Sequence, residues 1–139
     1  MTVEMVLLPL FVQVALTFIV LFTLAGRRFG AVRRGELRGP VALREPNWPD
    51  RVRQAEYNYQ NQFELPVLFY VLTIAVIITK KADLLFVAMA WVFVLLRALH
   101  AGVHLTTNTL AVRGPTFIVA ALVLFAMWVI FFIRLMLFP

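Results

Sequence analysis

A stripe of one arginine and two histidines crosses a segment of the chain that is otherwise apolar. Arg97, His100 and His104 stand at positions i, i+3 and i+7, so on an α-helix they project from one face. Ionisable side chains at membrane depth are costly, and they mark a functional site that faces a bundle interior or a water-filled cavity. Arg113 follows nine residues after the stripe, where the segment should leave the bilayer. A guanidinium in that position could stabilise an anion such as a thiolate.

A second polar group precedes Pro66. Asn58 and Asn61 are three residues apart and would share one helix face, and Glu64 lies one turn further along. Pro66 should kink this helix beside Glu64 and free a backbone carbonyl. Glu64 is the only carboxylate near the arginine–histidine stripe. It is therefore expected to bind an amine or to pair with Arg97 across the helices.

Structural explanations exist for the same residues. Glu64 and Arg97 could form a purely structural pair, because a buried charge is stable only with a partner. Asn61 could be an interhelical hydrogen-bonding residue, and so could His100. With His104 at i+4, His100 could also bind a metal, but no third ligand beyond Glu64 is evident. No metal site is predicted.

Composition defines the class of protein. The chain has 139 residues, of which 63% are hydrophobic and 14% charged, whereas soluble domains average about 45–50% and about 25%. It is predicted to be one integral membrane domain, residues 1–139, with helices at about 5–25, 50–79, 84–105 and 115–137. It has no cysteine, which excludes disulfides, thiolate metal sites and a cysteine nucleophile. Any reacting thiol must arrive on a substrate.

Basic residues predict the orientation. Glycines and prolines predict an irregular connection over residues 26–49. Basic side chains collect there and at the start of the next helix: Arg27, Arg28, Arg33, Arg34, Arg38, Arg44, Arg51 and Arg53. The opposite turn carries only Lys80 and Lys81. The long connections are therefore expected on the cytoplasmic side, with both termini on the other side. The net charge of +6 favours contact with anionic headgroups rather than nucleic acid, and Arg113 could be another such flanking charge.

Three motifs occur in order along the chain: Asn61-x-x-Glu64-x-Pro66, Arg97-x-x-His100-x-x-x-His104, and Arg113 followed at +4 by Phe117. This ordered set resembles the MAPEG family, the membrane-associated proteins in eicosanoid and glutathione metabolism. The chain looks like a bacterial-type member of that family. The similarity covers nearly the whole chain. It implies an all-α, integral membrane four-helix bundle, assembled as a homotrimer that binds glutathione between subunits near the cytoplasmic surface. In a bacterium this would be the inner membrane.

The resemblance also implies roles for individual residues. Arg113 falls on the arginine that holds the glutathione thiolate, and is the implied catalytic residue. Tyr57 stands where the family has an arginine, which leaves two alternatives: Arg53, one turn earlier, substitutes for that arginine, or Asn58 is the true equivalent under a shifted alignment. His104 and Phe117 stand where tyrosines are expected. The implied glutathione-binding residues are Arg27 (or its neighbour Arg28), Arg53, Asn58, Asn61, Glu64, Arg97, His100 and His104.

Three classes of function remain open from the sequence. The first is a glutathione-dependent membrane transferase or peroxidase, in which a thiolate attacks lipophilic electrophiles from the bilayer. The second is a protein of the same shape without catalysis, which serves as a membrane ligand-binding or scaffold subunit. The third is a small multidrug transporter. It is disfavoured because Glu64 sits near the cytoplasmic edge and no internal repeat is visible.

Overall fold

The computed structural model describes residues 1–37 and 47–138. Its helices are α1 (Val3–Arg33), α2 (Asp50–Asn61), α3 (Leu65–Ile78), α4 (Leu84–Leu105) and α5 (Leu110–Leu137). Because α2 and α3 follow each other within a single span, the protein has four helical segments that are long and apolar enough to cross a membrane. The predicted all-α membrane four-helix bundle is confirmed. α4 lies centrally and packs against α1, α2 and α5.

Helix α1 is longer than the sequence predicted. The irregular connection was placed from Gly26 onward, whereas α1 continues to Arg33 and has 31 residues. An isolated glycine costs a helix only about 1 kcal/mol, so Gly26 and Gly30 do not end it. At 1.5 Å per residue, α1 spans about 46 Å against a hydrocarbon core of about 30 Å. Its last turns therefore project from the membrane. The predicted loop residues Arg38 and Arg44 lie outside the described part of the chain.

The second span is interrupted where Pro66 predicts a kink. Helix α2 ends at Asn61, and α3 begins at Leu65 with the proline in its first turn. Between them Glu64 adopts φ −98° and ψ −102°, which is not helical. Proline causes the interruption because it has no N–H to donate and its ring collides with the preceding turn. As a result the Asn61 carbonyl accepts only a long bond of 3.4 Å from the Glu64 N–H within this span.

Helix α5 begins earlier than predicted. The sequence placed its start at Pro115, whereas the helix begins at Leu110 and includes Pro115. The turn before it closes through Asn108, whose φ of 52° is left-handed and whose N–H donates to the Val103 carbonyl at 2.7 Å. Asparagine is one of the few residues other than glycine that accept this conformation. The early start places Arg113 in the first turns of α5.

A chain of amide side chains crosses the bundle core. Gln13 of α1 donates to Gln62 Oε1 at 3.0 Å, Gln62 donates to Asn58 Oδ1 at 3.1 Å, and Asn58 donates to the Ala101 carbonyl of α4 at 3.0 Å. Gln13 and Asn58 are both 0% exposed. The chain therefore holds α1 and α4 to the interruption between α2 and α3. In the sequence, Gln13 could have indicated this contact, because it is a lone amide in an otherwise apolar helix.

Gln13 and Gln62 are expected to contribute to stability as a coupled pair. Gln13→Leu and Gln62→Leu should each destabilise the protein by about 1–3 kcal/mol, because each leaves a buried partner without its bond. The double variant should lose less than the sum of the two single variants. Unfolding in detergent would be followed for all three proteins, with Thr23→Val at a half-buried position of α1 as the control. Strictly additive losses would contradict the coupling.

Candidate functional site

The predicted site residues lie at one end of the bundle. There the last turns of α1, the whole of α2, the C-terminal turns of α4 and the first turns of α5 come together, with α1 packed on α2 and α4, and α4 on α5. This arginine-rich end carries Arg27, Arg28, Arg33, Arg51, Arg53 and Arg113. The opposite end carries Lys80, Lys81 and Arg134. The structure thus gathers motifs that are distant along the chain.

Arg97 is a buried cation with few partners. Its side chain is 0% exposed, Nη2 donates to the Asn61 carbonyl at 3.2 Å, and Cζ lies 5.9 Å from the centre of the Phe117 ring. Nε and Nη1 have no hydrogen-bond partner. The interrupted helix supplies the one bond, because the Asn61 carbonyl is nearly free of backbone donors.

The expected pair between Glu64 and Arg97 does not form in the subunit. Among the described residues the ion pairs are Arg28–Glu56, Arg34–Glu36 and Arg134–Asp83. Glu64 is exposed. Glu64 belongs to the non-helical break between α2 and α3, so helical spacing in the sequence does not predict which way its side chain points. The break presents a carbonyl to Arg97 and leaves the carboxylate outside.

His100 and His104 complete the buried stripe. They are 3% and 4% exposed, and their ring centres are 5.8 Å apart. His100 Nδ1 is bonded to the Arg113 carbonyl at 2.9 Å, whereas His100 Nε2 and His104 Nδ1 have no partner. No third histidine, cysteine or carboxylate joins them in a possible metal cluster within the described ranges.

The stripe therefore carries four buried nitrogen atoms without a partner in the described chain, two on Arg97 and one on each histidine. Buried polar atoms are bonded in about 90% of cases or more, and an unsatisfied one costs about 1–3 kcal/mol. Such a group on one helix face suits a polar ligand that supplies the missing partners. This row of unsatisfied nitrogens is the strongest structural sign of a binding site.

Helix α2 and the break after it carry the remaining polar side chains. Asn61 is half-buried and Glu64 is exposed, and neither side chain has a hydrogen bond within the described residues. Arg53 and Tyr57 are both exposed, and Arg53 Nη2 donates to the Tyr57 hydroxyl at 3.0 Å. Asn58 differs from these residues because it is fully buried in the amide chain. Asn58 therefore has both of its amide atoms engaged within the bundle.

Arg27 and Arg28 connect helices rather than project freely. Arg27 donates to the Arg51 carbonyl at 2.9 Å and to the Leu105 carbonyl at 2.7 Å. These bonds tie α1 to α2 and to the end of α4. Arg28 pairs with Glu56 at 2.7 Å. Of the two alternatives from the sequence, Arg27 lies beside the C-terminal end of α4. Its guanidinium is already hydrogen-bonded to two backbone carbonyls.

Arg113 is half-buried at the start of α5. Nη1 donates to Asn108 Oδ1 at 2.5 Å, and the Arg113 carbonyl is the partner of His100. A helix N-terminus carries a partial positive charge, and a guanidinium beside it adds a full one. Both stabilise a thiolate and lower the pKa of a thiol held there. The geometry suits the ionisation of a bound thiol.

A comparison with known families adds to this geometry. A model of the MAPEG family matches residues 6–133, which is nearly the whole chain. The chain belongs to the MAPEG family. The comparisons with curated proteins and with solved structures found no match. Membership and the four apolar spans make this an integral, multi-pass membrane protein, and its function at the level of the family is related to glutathione.

At the stripe, two residues of this MAPEG chain differ from the tyrosines that the resemblance implies. Phe117 packs its ring 5.7 Å from His100 and beside Arg97, so an apolar ring fills the place of a phenol. His104 is buried at the end of the stripe, where an imidazole replaces the other phenol. Thr116, which the sequence did not single out, lies 3.5 Å from His100 Nδ1.

Proposed function

We propose that this protein is a glutathione-dependent membrane transferase or peroxidase that acts on lipophilic electrophiles. The observation that supports it best is the row of unsatisfied buried nitrogens on α4, which leads to a guanidinium at the start of α5. Glutathione is a peptide with two carboxylates, an amine and a thiol. Its carboxylates can accept hydrogen bonds from Arg97, its protonated amine can pair with Glu64, and its thiol can lie beside Arg113.

Each charged group of glutathione has a counterpart at this end of the bundle. The carboxylates suit guanidinium groups, which bind them through two parallel N–H bonds. Arg97 has two free nitrogens for this purpose, and exposed Arg53 offers a second guanidinium. The amine suits Glu64, which is unpaired within the described residues. Arg27 maintains the frame between the helices.

The chemistry follows from the ionised thiol. A free thiol has a pKa of about 8.5 and is mainly protonated at neutral pH, so Arg113 and the α5 terminus favour loss of its proton to solvent. The thiolate attacks an electrophilic carbon, a carbon–sulfur bond forms, and the leaving group departs with the bonding pair. With a lipid hydroperoxide, the thiolate attacks the terminal oxygen, a sulfur–oxygen bond forms, the O–O bond breaks, and the alkoxide leaves and takes up a proton to give the alcohol. The resulting glutathione sulfenic acid then condenses with the thiol of a second glutathione to give the disulfide and water.

A non-catalytic ligand-binding or scaffold protein is the second candidate. The observation in its favour is Phe117, which has no hydroxyl and packs against both His100 and Arg97. Such a protein would bind glutathione without turning it over. Because binding and turnover are measured separately, the two candidates are distinguishable.

The functional unit of the proposal is a homotrimer. Half-buried Asn61 and exposed Glu64 lie where the polar helix α2 meets the apolar helix α3, and polar groups at membrane depth normally face protein or a cavity. A neighbouring subunit would cover them and complete a glutathione site between subunits. Covalent crosslinking in native membranes tests this assembly.

In this proposal, the arginine-rich end of the bundle faces the cytoplasm. The turns of α1 and α2 at that end carry five arginines, whereas the opposite end carries Lys80, Lys81 and Arg134, and such an excess is retained on the cytoplasmic side. Both chain termini then lie on the opposite side. Glutathione would reach the site from the cytoplasm, and the electrophile would reach it from the bilayer.

A thermal-shift and turnover experiment tests the proposed function. Purified protein in detergent would be heated with glutathione and with S-methylglutathione, and conjugation of an aryl halide dissolved in the micelles would be followed. We expect stabilisation by glutathione, weaker stabilisation by the blocked thiol, and turnover above the uncatalysed rate. Binding without turnover would favour the scaffold candidate. No shift with either peptide would overturn both.

Glu64→Gln is expected to weaken glutathione binding about tenfold or more, because a charge-assisted bond to the amine contributes about 1.5–3 kcal/mol. The melting midpoint without ligand should stay within about 2 °C, since an exposed, unpaired carboxylate contributes little to stability. Calorimetric titration and melting of the variant would be compared with Glu36→Gln, an exposed carboxylate outside the site. A large drop in melting midpoint with normal affinity would make Glu64 structural.

A further inference from the structure

Two adjoining cavities lie at the end of the bundle opposite the arginine-rich end. One is a narrow apolar cleft between α3, α4 and α5, whose walls include Val76, Met89 and Ile130. The other is an open hollow with basic side chains in its wall, and it lies over the turn between α3 and α4. Lys81 and Arg134 line both cavities. The two cavities therefore adjoin at these basic side chains, which lie at the mouth of the apolar cleft.

The mouth has an excess of positive charge. Lys80, Lys81 and Arg134 line it, and Arg134 pairs with the nearby carboxylate of Asp83 at 2.5 Å. Lys81 Nζ donates to the Phe138 carbonyl at 2.5 Å, which uses one of its three protons. Lys80 has no ion-pair partner within the described ranges. The mouth thus retains donors and net charge for an anion.

We propose that this site binds an anionic phospholipid, with one acyl chain lying along the apolar groove of α3, α4 and α5 and the phosphate at Lys80, Lys81 and Arg134. The complementarity is twofold, since the apolar cleft matches a hydrocarbon chain and the basic mouth matches a headgroup. Basic pockets between transmembrane helices are known to suit such headgroups. Met89 and Met127 on the walls adapt readily to a flexible chain.

This lipid site is separate from the proposed glutathione site. Arg113 and Arg134 both belong to α5 and are 21 residues apart in the sequence, which corresponds to about 32 Å along a helix. The two sites therefore lie in opposite leaflets. A lipid bound here would hold the ends of α3, α4 and α5 together without contact with the thiol. Its presence does not depend on whether the protein is a transferase.

Native mass spectrometry of the whole protein tests the site. Protein in detergent would be offered phosphatidylglycerol or phosphatidylcholine with identical acyl chains, and the retained lipid would be counted. We expect phosphatidylglycerol to be retained preferentially. Lys80→Gln with Lys81→Gln should lower this preference about 25-fold, at about fivefold for each basic side chain. The matched control is Arg33→Gln with Arg51→Gln, which removes the same charge from exposed positions at the other end and should change it little.

A second variant tests the apolar part. Ile130→Trp fills the cleft and leaves every charge in place, so retention of phosphatidylglycerol should fall severalfold while melting of the lipid-free protein is kept. Equal retention of both lipids by the natural protein would overturn the proposal. So would an unchanged preference in the double lysine variant, or full retention in Ile130→Trp. Stabilisation by inorganic phosphate equal to that by the lipid would also overturn it, because it would indicate a simple anion site.

Discussion

Replacement of Arg113 by alanine is expected to lower the ionised fraction of bound glutathione at neutral pH from about 24–97% toward about 3%. An opposite charge within about 4–6 Å lowers a pKa by about 1–3 units. A thiol with the ordinary pKa of about 8.5 is only about 3% ionised at pH 7. Conjugation by the variant should therefore rise with pH up to about 8.5, whereas conjugation by the natural protein should level off about 1–3 pH units lower.

The ultraviolet absorbance of the thiolate, followed during titration with glutathione, measures this directly. The subunit should still fold, because the Arg113 side chain is half-buried and its bond is to exposed Asn108. Arg113→Lys retains a charge and should retain part of the thiolate signal. Arg33→Ala, at an exposed position on the same end, is the matched control. An undiminished thiolate band in Arg113→Ala would remove Arg113 from the catalytic role.

Arg97→Met is expected to make the protein more stable and less able to bind glutathione. The buried guanidinium has one hydrogen bond and two nitrogens without partners, so its burial is poorly compensated. Replacing buried ionic groups by apolar side chains of similar size is often neutral or stabilising by about 1–4 kcal/mol. We expect a gain within this range, offset by the loss of the stabilisation that glutathione gives the natural protein.

This trade of stability for function is typical of binding sites. Melting in detergent, with and without glutathione, would be compared for Arg97→Met and for Arg97→Lys, which retains a buried charge without the planar guanidinium. The lysine variant should melt below the methionine variant. If Arg97→Met melted far below the natural protein, the guanidinium would be a structural anchor, and its unpaired nitrogens would not indicate a ligand.

The number of spans could be predicted because apolar length determines it, and a single internal charge such as Arg97 does not end a span. The ends of α1 and α5 could not be read in the same way. Gly26 and Gly30 predict a loop only where the surrounding residues have a low tendency to form a helix. Helix α1 is long enough to tolerate both glycines. Pro115 indicates a helix start, yet the helix begins at Leu110, because a proline is tolerated near the N-terminus of a helix.

The site could be predicted where its residues share one regular helix. Arg97, His100 and His104 are such a set, and the structure buries all three together. The pairing of Glu64 could not be predicted, because its direction depends on the backbone at the break before α3. The contact between Gln13 and Gln62 joins residues 49 positions apart. Spacing along the chain does not contain that information.

The bond between His100 and the backbone of Arg113 determines which tautomer the histidine adopts. A carbonyl can only accept, so the proton must be on Nδ1. The unpartnered Nε2 of the neutral ring therefore presents a lone pair to the interior. The two unsatisfied nitrogens of Arg97 present protons instead. The two parts of the stripe therefore suit opposite hydrogen-bonding groups: an acceptor such as a carboxylate fits beside the guanidinium of Arg97, and a donor such as an N–H, O–H or S–H group fits beside His100.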